Sequence, residues 1–341
     1  MEQKNTNRPR AALGRLAGIT AVCAALILFS CDAPEKQGQR TRSLKIASWN
    51  LQTFFDANFD GNEYSEYRSA GKGWSREKYD VRLDRLASVI KAIDADVVIM
   101  EELEKEAQLQ DIANRLAGTF NFSRLYRYGA FASDEGSSIG CAVISRYPLS
   151  DISVHSMDFR GGARQPSMRP IIRLSVRAGD KTLVLLVNHW KSKSGGAESS
   201  EIWRRRQERL LARLMRNAVG RNEPALAAGD FNKDISEFDT HCRAGAERGA
   251  ANMTLHGEES VAVYSPWILE GGDFAKTGSY WFRDSWERID HFFAAGDITL
   301  SGFRAESAGE WAYDDGHPRR YQLWSGRGYS DHLPISCTVT F

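Results

Sequence analysis

Asn50, Glu102, His189, Asp230, Asn232, Asp290, Asp331 and His332 each interrupt or follow a run of apolar residues. Together they offer carboxylate and amide oxygens and imidazoles, with no thiolate among them. That donor set suits Mg2+ or Mn2+ better than a structural zinc. A cation held by few carboxylates keeps open positions and neutralises charge on phosphoryl oxygens, while a carboxylate or histidine orients the attacking water. A single Asp-His or Gly-Asp pair is ordinary turn chemistry. The whole set predicts hydrolysis of a phosphate ester.

Residues so far apart in sequence need elements whose ends converge. Residues 44–49, 96–100, 139–145, 170–176, 182–188, 225–228, 279–283, 288–293 and 335–341 read as strands, being apolar runs rich in β-branched residues or leucine and bounded by Gly, Pro or Asp. Leu83, Leu86, Ile90 and Ile93 share a helix face with Ser75 as N-cap, and Leu109, Ile112 and Leu116 form a second stripe stopped by Gly118. Trp203, Leu210, Leu211 and Leu214 form a third. Mixed elements without internal repeat predict one layered α/β domain, with strand ends meeting along one edge. Residues 237–259 and 302–329 lack a period and read as loops, the second with one edge strand at most.

The segments Ile46-Ala47-Ser48-Trp49-Asn50-Leu51-Gln52, Val97-Val98-Ile99-Met100-Glu101-Glu102, Val187-Asn188-His189-Trp190-Lys191-Ser192, Gly229-Asp230-Phe231-Asn232, Arg288-Ile289-Asp290-His291 and Ser330-Asp331-His332-Leu333-Pro334 carry a resemblance. In order and approximate spacing they are similar to the endonuclease/exonuclease/phosphatase superfamily, the family of deoxyribonuclease I, from about residue 44 to the C-terminus. The resemblance implies a single-domain, four-layer αββα sandwich. It makes Glu102 the principal metal ligand, with Asn50 and Asp331 completing or orienting the metal shell. Asp230 and Asn232 would position the nucleophilic water and the scissile phosphate. His332 would serve the phosphate as base or transition-state stabiliser, with Asp290 as its orienter, and His189 would serve the leaving oxygen. Arg169 resembles a phosphate-contacting arginine, a reading weighed against an exposed strand-edge cation. Glu101 stands where the family commonly has glutamine, and either alters metal affinity or points into solvent.

Family resemblance leaves the ester open. The inositol phosphatase branch usually carries Trp-(Thr/Cys)-Asp-Arg where this chain reads Trp286-Glu287-Arg288-Ile289-Asp290, so that branch is disfavoured. Residues 189–196 and 278–283 are similar to segments of bacterial secreted nucleases. Between His189 and Arg216 eight basic residues face three acidic ones; Lys191 and Lys193 are expected to touch phosphate, and Arg209 to Arg216 to form a solvated helix face. Trp311, Tyr313, Tyr321, Trp324 and Tyr329, interleaved with Arg319, Arg320 and Arg327, either stack on bases or fill the core beneath a loop. The reading is a nuclease acting on DNA. The alternatives are a sphingomyelinase-type phospholipid phosphodiesterase, which needs an exposed apolar hairpin such as Trp267-Ile268-Leu269, and a catalytically silent surface binding module.

Arg8, Arg10 and Arg15 precede an apolar run over 17–29, short of the about 20 residues that span a bilayer but suited to a signal peptide. Leu28-Phe29-Ser30-Cys31 resembles a bacterial lipobox. Residues 1–30 are therefore expected to be a lipoprotein-type signal peptide, Cys31 the lipidated residue, 31–43 a polar tether and 44–341 the catalytic domain. An ordinary signal peptide or N-terminal anchor with an incidental cysteine is the alternative. The expectation is a monomer, lipid-anchored in the cell envelope at an outer-membrane, periplasmic or exposed surface. Removing 1–30 takes away Lys4, Arg8, Arg10, Arg15 and Glu2, so the balance of 45 basic to 44 acidic residues becomes 41 to 43. Such a balance excludes an indiscriminate coat for polyanions. Cys141, Cys242 and Cys337 permit one disulfide at most and lack zinc spacing. Asp56-Ala57-Asn58-Phe59-Asp60-Gly61 copies the opening of a calcium loop, but Tyr67 replaces the bidentate glutamate at the twelfth position. An additional Ca2+ thus stands against a plain polar loop.

Overall fold

The computed structural model describes residues 41–67, 73–157, 165–241 and 249–341, and the backbone alone of 11–15. The apolar run of the expected leader, Cys31, most of the tether and Cys242 lie outside the described residues. Among the described residues no helix is long and apolar enough to cross a membrane.

Two mixed sheets carry the fold. The larger runs β1 (Ala11–Arg15), β4 (Tyr128–Ala132), β5 (Gly140–Ser145), β3 (Val97–Leu103), β2 (Ser43–Phe54), β17 (Ile335–Thr340) and β16 (Thr299–Ala305). The smaller runs β15 (Asp290–Ala295), β9 (Ala225–Asp230), β8 (Lys181–His189), β7 (Ile171–Ala178) and β6 (Leu149–His155). Three short strands, β10 (Asp239–Thr240), β11 (Met253–Leu255) and β12 (Val261–Val263), form a small third sheet, and β13 (Tyr280–Phe282) pairs with β14 (Ser285–Glu287) as a hairpin. Each main sheet contains one parallel pair, β2 with β3 and β8 with β9. A parallel pair needs a long crossover, and α1 (Arg76–Ile93) and α3 (Ala197–Val219) supply them.

Alternation along β2 shows the layering. Leu44 and Ile46 join the core between the sheets, while Ala47, Trp49 and Leu51 join a second core under α1 and α2 (Ala107–Ala117). With α3 packed outside the smaller sheet, the order is helix, sheet, sheet, helix, as expected. Ser75 accepts a hydrogen bond from the amide of Lys78 at 3.2 Å, and Gly118 ends α2, so both caps stand where their residue types predict. The reading of 302–329 as loop with one edge strand agrees with β16, which lies at the edge of the larger sheet and pairs with β17. That of 237–259 is corrected at β10 and β11. These strands are short or polar enough to hide their alternation.

Candidate active site

Pairing in the smaller sheet lines up three of the chemical residues. The parallel register of β8 on β9 sets His189 beside Asp230, and the antiparallel register of β15 sets Asp290 on the other side of Asp230. Gly229 makes the approach possible: its φ is 137°, and a methyl group there would lie 1.9 Å from the Asn188 carbonyl oxygen. Two residues on, Asn232 adopts a left-handed conformation with φ 48°. Its amide N–H then donates to Asp230 Oδ1 at 2.8 Å, and its Nδ2 donates to Asp230 Oδ2 at 3.1 Å.

The larger sheet contributes through two irregularities. β2 shifts register against β3 between Asn50 and Phe54, and β3 shifts against β5 between Glu101 and Leu103. Bulges of this kind re-aim side chains beside sites. The pleat alone would send Glu102 toward the helices with Val98 and Met100; a φ of 68° turns it into the cleft instead. Thr53 N–H donates to Glu102 Oε2 at 2.6 Å, and Asn50 Nδ2 donates to Glu102 Oε1 at 3.3 Å and to Asp230 Oδ2 at 2.9 Å. Asn50 therefore joins the sheets and orients both carboxylates. Buried Arg82 holds the carbonyls of Leu51, Gln52 and Thr53 behind the bulge.

The 330–332 turn closes the floor. Ser330 Oγ donates to the Asn50 carbonyl at 2.6 Å, and Trp49 Nε1 donates to the His332 carbonyl at 2.9 Å. His332 Nδ1 lies 2.8 Å from Asp290 Oδ2. Burial opposes a charged His332, but Asp290, followed by Asp230 and Asp331, outweighs it and lifts its pKa well above the usual range. Burial pushes Asp230 up to about 7, against the pull of His332 and the hydrogen bonds from Asn232 and Asn50. Burial drives His189 well below its usual value, with Arg169 adding to the effect. The site thus holds one cationic and one neutral imidazole.

His189 Nε2 stands 3.7 Å from Glu102 Oε1 and 3.6 Å from Asp230 Oδ2. Ligand atoms of Asp230, Asp290 and His332 lie within 4.8 Å of one another, although Asp290 and His332 already engage each other. Oxygen donors also reach the cleft from Glu102 and Asp331. This hard, oxygen-rich set fits a divalent cation of the Mg2+ or Mn2+ kind.

A cleft of 1030 Å³ opens above these groups, walled by Arg169, Lys193 and Arg320 among others. Arg169 is buried to 9% exposure and its Nε has no hydrogen-bond partner, so it is no strand-edge cation. Lys191 is placed differently from Lys193: its ammonium lies 3.0 Å from the Ser192 carbonyl. Arg204, counted with the basic helix, is buried and binds the carbonyls of Lys191 and Ala197, which shapes the loop leading into α3. Glu101 faces neither solvent nor cleft. It is fully buried between the sheets with Oε1 accepting from Ser48 Oγ at 3.0 Å.

Of the aromatic residues in 311–329, Trp311, Tyr321 and Tyr329 are buried in the helix-side core, and Trp324 and Tyr313 are exposed. Asp60, Glu63 and Glu104 offer oxygens within 4.8 Å of one another at the 56–61 loop. The Lys105 ammonium stands 2.9 Å from both Asp56 and Asp60 there. Cys141 and Cys337 are free and buried. Sequence reasoning missed Arg82, whose signal was a cation beside Leu83 on an apolar helix face. It also missed Tyr280 and Phe282, which line the cleft and were legible as alternate positions of a strand-like run.

The family model described as "Endonuclease/Exonuclease/phosphatase family" matches residues 47–332. Among solved structures the chain is similar to truncated Caenorhabditis elegans TDP2, at 16% identity and a TM-score of 0.54, covering 88% of this chain and 98% of that one. It is similar to D. rerio TDP2 complexed with single strand DNA product, at 19% identity and a TM-score of 0.55, covering 87% and 98%. An endonuclease/exonuclease/phosphatase from Beutenbergia cavernae matches at 18% identity with a TM-score of 0.51, covering 87% and 71%. No curated protein matches the chain. These identities speak to the fold, two mixed sheets flanked by helices. The family match runs from β2 to His332, through every strand end that builds the cleft, and the chain belongs to the Endonuclease/Exonuclease/phosphatase family of hydrolases acting on phosphoric ester bonds.

Proposed function

We propose that the chain is a divalent-metal-dependent phosphodiesterase that cleaves DNA. The observation that carries this reading is the His332–Asp290 pair at the floor of a cleft lined by Arg169, Lys193 and Arg320. A fixed positive charge at His332, with the buried Arg169 reaching the same cleft, suits a phosphodiester anion. Glu102, oriented by Thr53 and Asn50, and Asp331 would hold the metal, which supplies neutralisation of charge on the phosphoryl oxygen. Asp230 and Asn232 orient the attacking water, and a carboxylate lifted to about 7 is poised to accept its proton. His332 donates to the phosphate. Neutral His189, between Glu102 and Asp230, would serve the leaving oxygen.

DNA is favoured because a fold neighbour, D. rerio TDP2, was crystallised with a single strand DNA product and because Arg169, Lys193, Arg283 and Arg320 reach the cleft among its carboxylates. A phospholipid substrate has less support: Trp267 and Ile268 are buried, leaving Leu269 alone exposed in that segment. An additional Ca2+ at the 56–61 loop also has less support, since Lys105 already sits among its carboxylates. The leader-like N-terminus supports lipid anchoring through Cys31 in the cell envelope. Replacement of Cys31 by serine should release the chain from membranes.

Incubation with duplex DNA, single-stranded DNA, RNA and sphingomyelin in Mg2+ or Mn2+ tests the reading. DNA loss that requires metal supports it. Intact DNA with cleaved sphingomyelin overturns it, and inertness toward every ester favours a binding module.

A further inference from the structure

The β13–β14 hairpin presents one face to the cleft and the other to the protein, because alternate residues of a strand point to opposite sides. Trp281 and Trp286 pair across the hairpin and pack on His317, whose ring centroid lies 3.7 Å from that of Trp281. Tyr280 and Phe282 line the cleft. Their rings are parallel to within 18°, with centroids 6.0 Å apart, and form a continuous aromatic step. Its inner end is fixed, since the Tyr280 ring lies 4.7 Å from that of His332 and the two residues share a backbone bridge. At its outer end Phe282 is 43% exposed, with the Arg283 guanidinium 5.0 Å from its ring centre. The turn residues Arg283 and Asp284 both have positive φ, 48° and 61°, the conformation a tight two-residue hairpin requires. The step is therefore held by a turn of defined geometry.

An aromatic surface that starts at the cationic histidine and ends on an arginine combines π faces for bases with charge for phosphates. Tyr64, Tyr67 and Tyr321 also line the cleft, whereas Tyr313 and Trp324 do not; Tyr280, packed on the His332 ring, makes this step the aromatic surface in contact with His332. A base within a duplex is covered on both faces by its neighbours. Reaching an aromatic wall requires that it be single-stranded or extruded.

We propose that Tyr280 and Phe282 form a stacking platform for an unpaired base flanking the scissile phosphate, with Arg283 meeting the next phosphate, so that single-stranded ends or unpaired stretches of DNA are preferred to duplex. This inference rests on the phosphodiesterase reading and names the substrate class of the same site.

The test uses short single-stranded oligonucleotides carrying 2-aminopurine at successive positions, bound in EDTA so that nothing is cleaved. Stacking on the platform quenches the fluorophore at one or two adjacent positions, and fully paired duplex gives no quenching. Phe282→Ala should bind about tenfold more weakly with the quenching lost, and Phe282→Trp should keep both. An abasic site at the quenched position should cost the wild type about tenfold in affinity and cost Phe282→Ala nothing further. Circular dichroism checks that each variant folds. Wild-type affinity and quenching in Phe282→Ala would overturn the platform, as would equal quenching with duplex, or an affinity for sphingomyelin vesicles that falls in Phe282→Ala while oligonucleotide binding does not. Because binding is read without turnover, an absence of hydrolysis would count against the phosphodiesterase reading and an absence of quenching against the platform.

Discussion

His332 and His291 are both buried and both adjoin Asp290, one through space and one through the chain, yet their protonation is driven in opposite directions. His291 follows Asp290 on β15, so the pleat sends it to the other face, among Phe231, Phe238 and Phe293. Its Nε2 meets only the Lys233 carbonyl, at 2.8 Å, and burial pushes its pKa down to about 4. His332 meets the carboxylate directly and stays cationic. Burial alone makes a histidine neutral; contact with a carboxylate makes it a buried cation.

Replacing His332 by alanine should have the largest effect, lowering turnover of DNA about 10³-fold with unchanged circular dichroism. A fall below tenfold would remove His332 from the chemistry. Asp290→Asn keeps a hydrogen-bond acceptor but removes the charge, and should lower kcat about 10²-fold. In that variant the His332 ring proton followed by NMR should titrate closer to 6.5. An unchanged titration would show that the carboxylate is not the cause.

His291→Phe addresses the other half of the comparison. The unfolded histidine titrates near 6.5 and the folded one near 4, so between those values the unfolded chain binds more protons. Stability is full above the upper value and falls by up to about 3 kcal/mol as pH drops through the window. Urea midpoints at pH 7 and pH 4.5 should therefore diverge less in the variant than in the wild type; equal divergence would clear His291 of acid sensitivity. The smallest effect is expected for Glu101→Gln. Burial first, and then Asp290 and Asp230, lift the Glu101 carboxyl well above its usual range, which favours the protonated acid. An isosteric amide should change stability by less than about 1 kcal/mol, whereas an ionised Glu101 would give a loss of several.

The strand ends were legible because each chemical residue closes an apolar run, and pairing between runs then fixes His189, Asp230 and Asp290 in one row. Ser75 and Gly118 announced helix ends by type alone. The aim of Glu102 was not legible, because it depends on a left-handed residue inside a register shift, which no periodicity encodes. The direction of Lys191 depends on which carbonyls the following loop presents. Strands β6 and β16 have half-exposed, mixed faces, so their sequences carry too little alternation to separate from loop. The Trp311–Tyr329 region illustrates the same limit: composition placed aromatics beside cations, but only packing decided that Tyr321 lies beneath Arg82, whose guanidinium sits 3.9 Å from its ring centre.

The bonds from Ser330 to Asn50 and from Trp49 to His332, together with the pairing of β17 on β2, tie residues near 50 to residues near 330. Contacts of such sequence separation carry the loop-closure entropy of most of the chain. A chain still emerging from a ribosome has Asn50 and Glu102 but no His332, and so cannot complete the charged floor. For an enzyme that cuts phosphodiesters, the two halves of the charged floor come together only where the last strand pairs with β2.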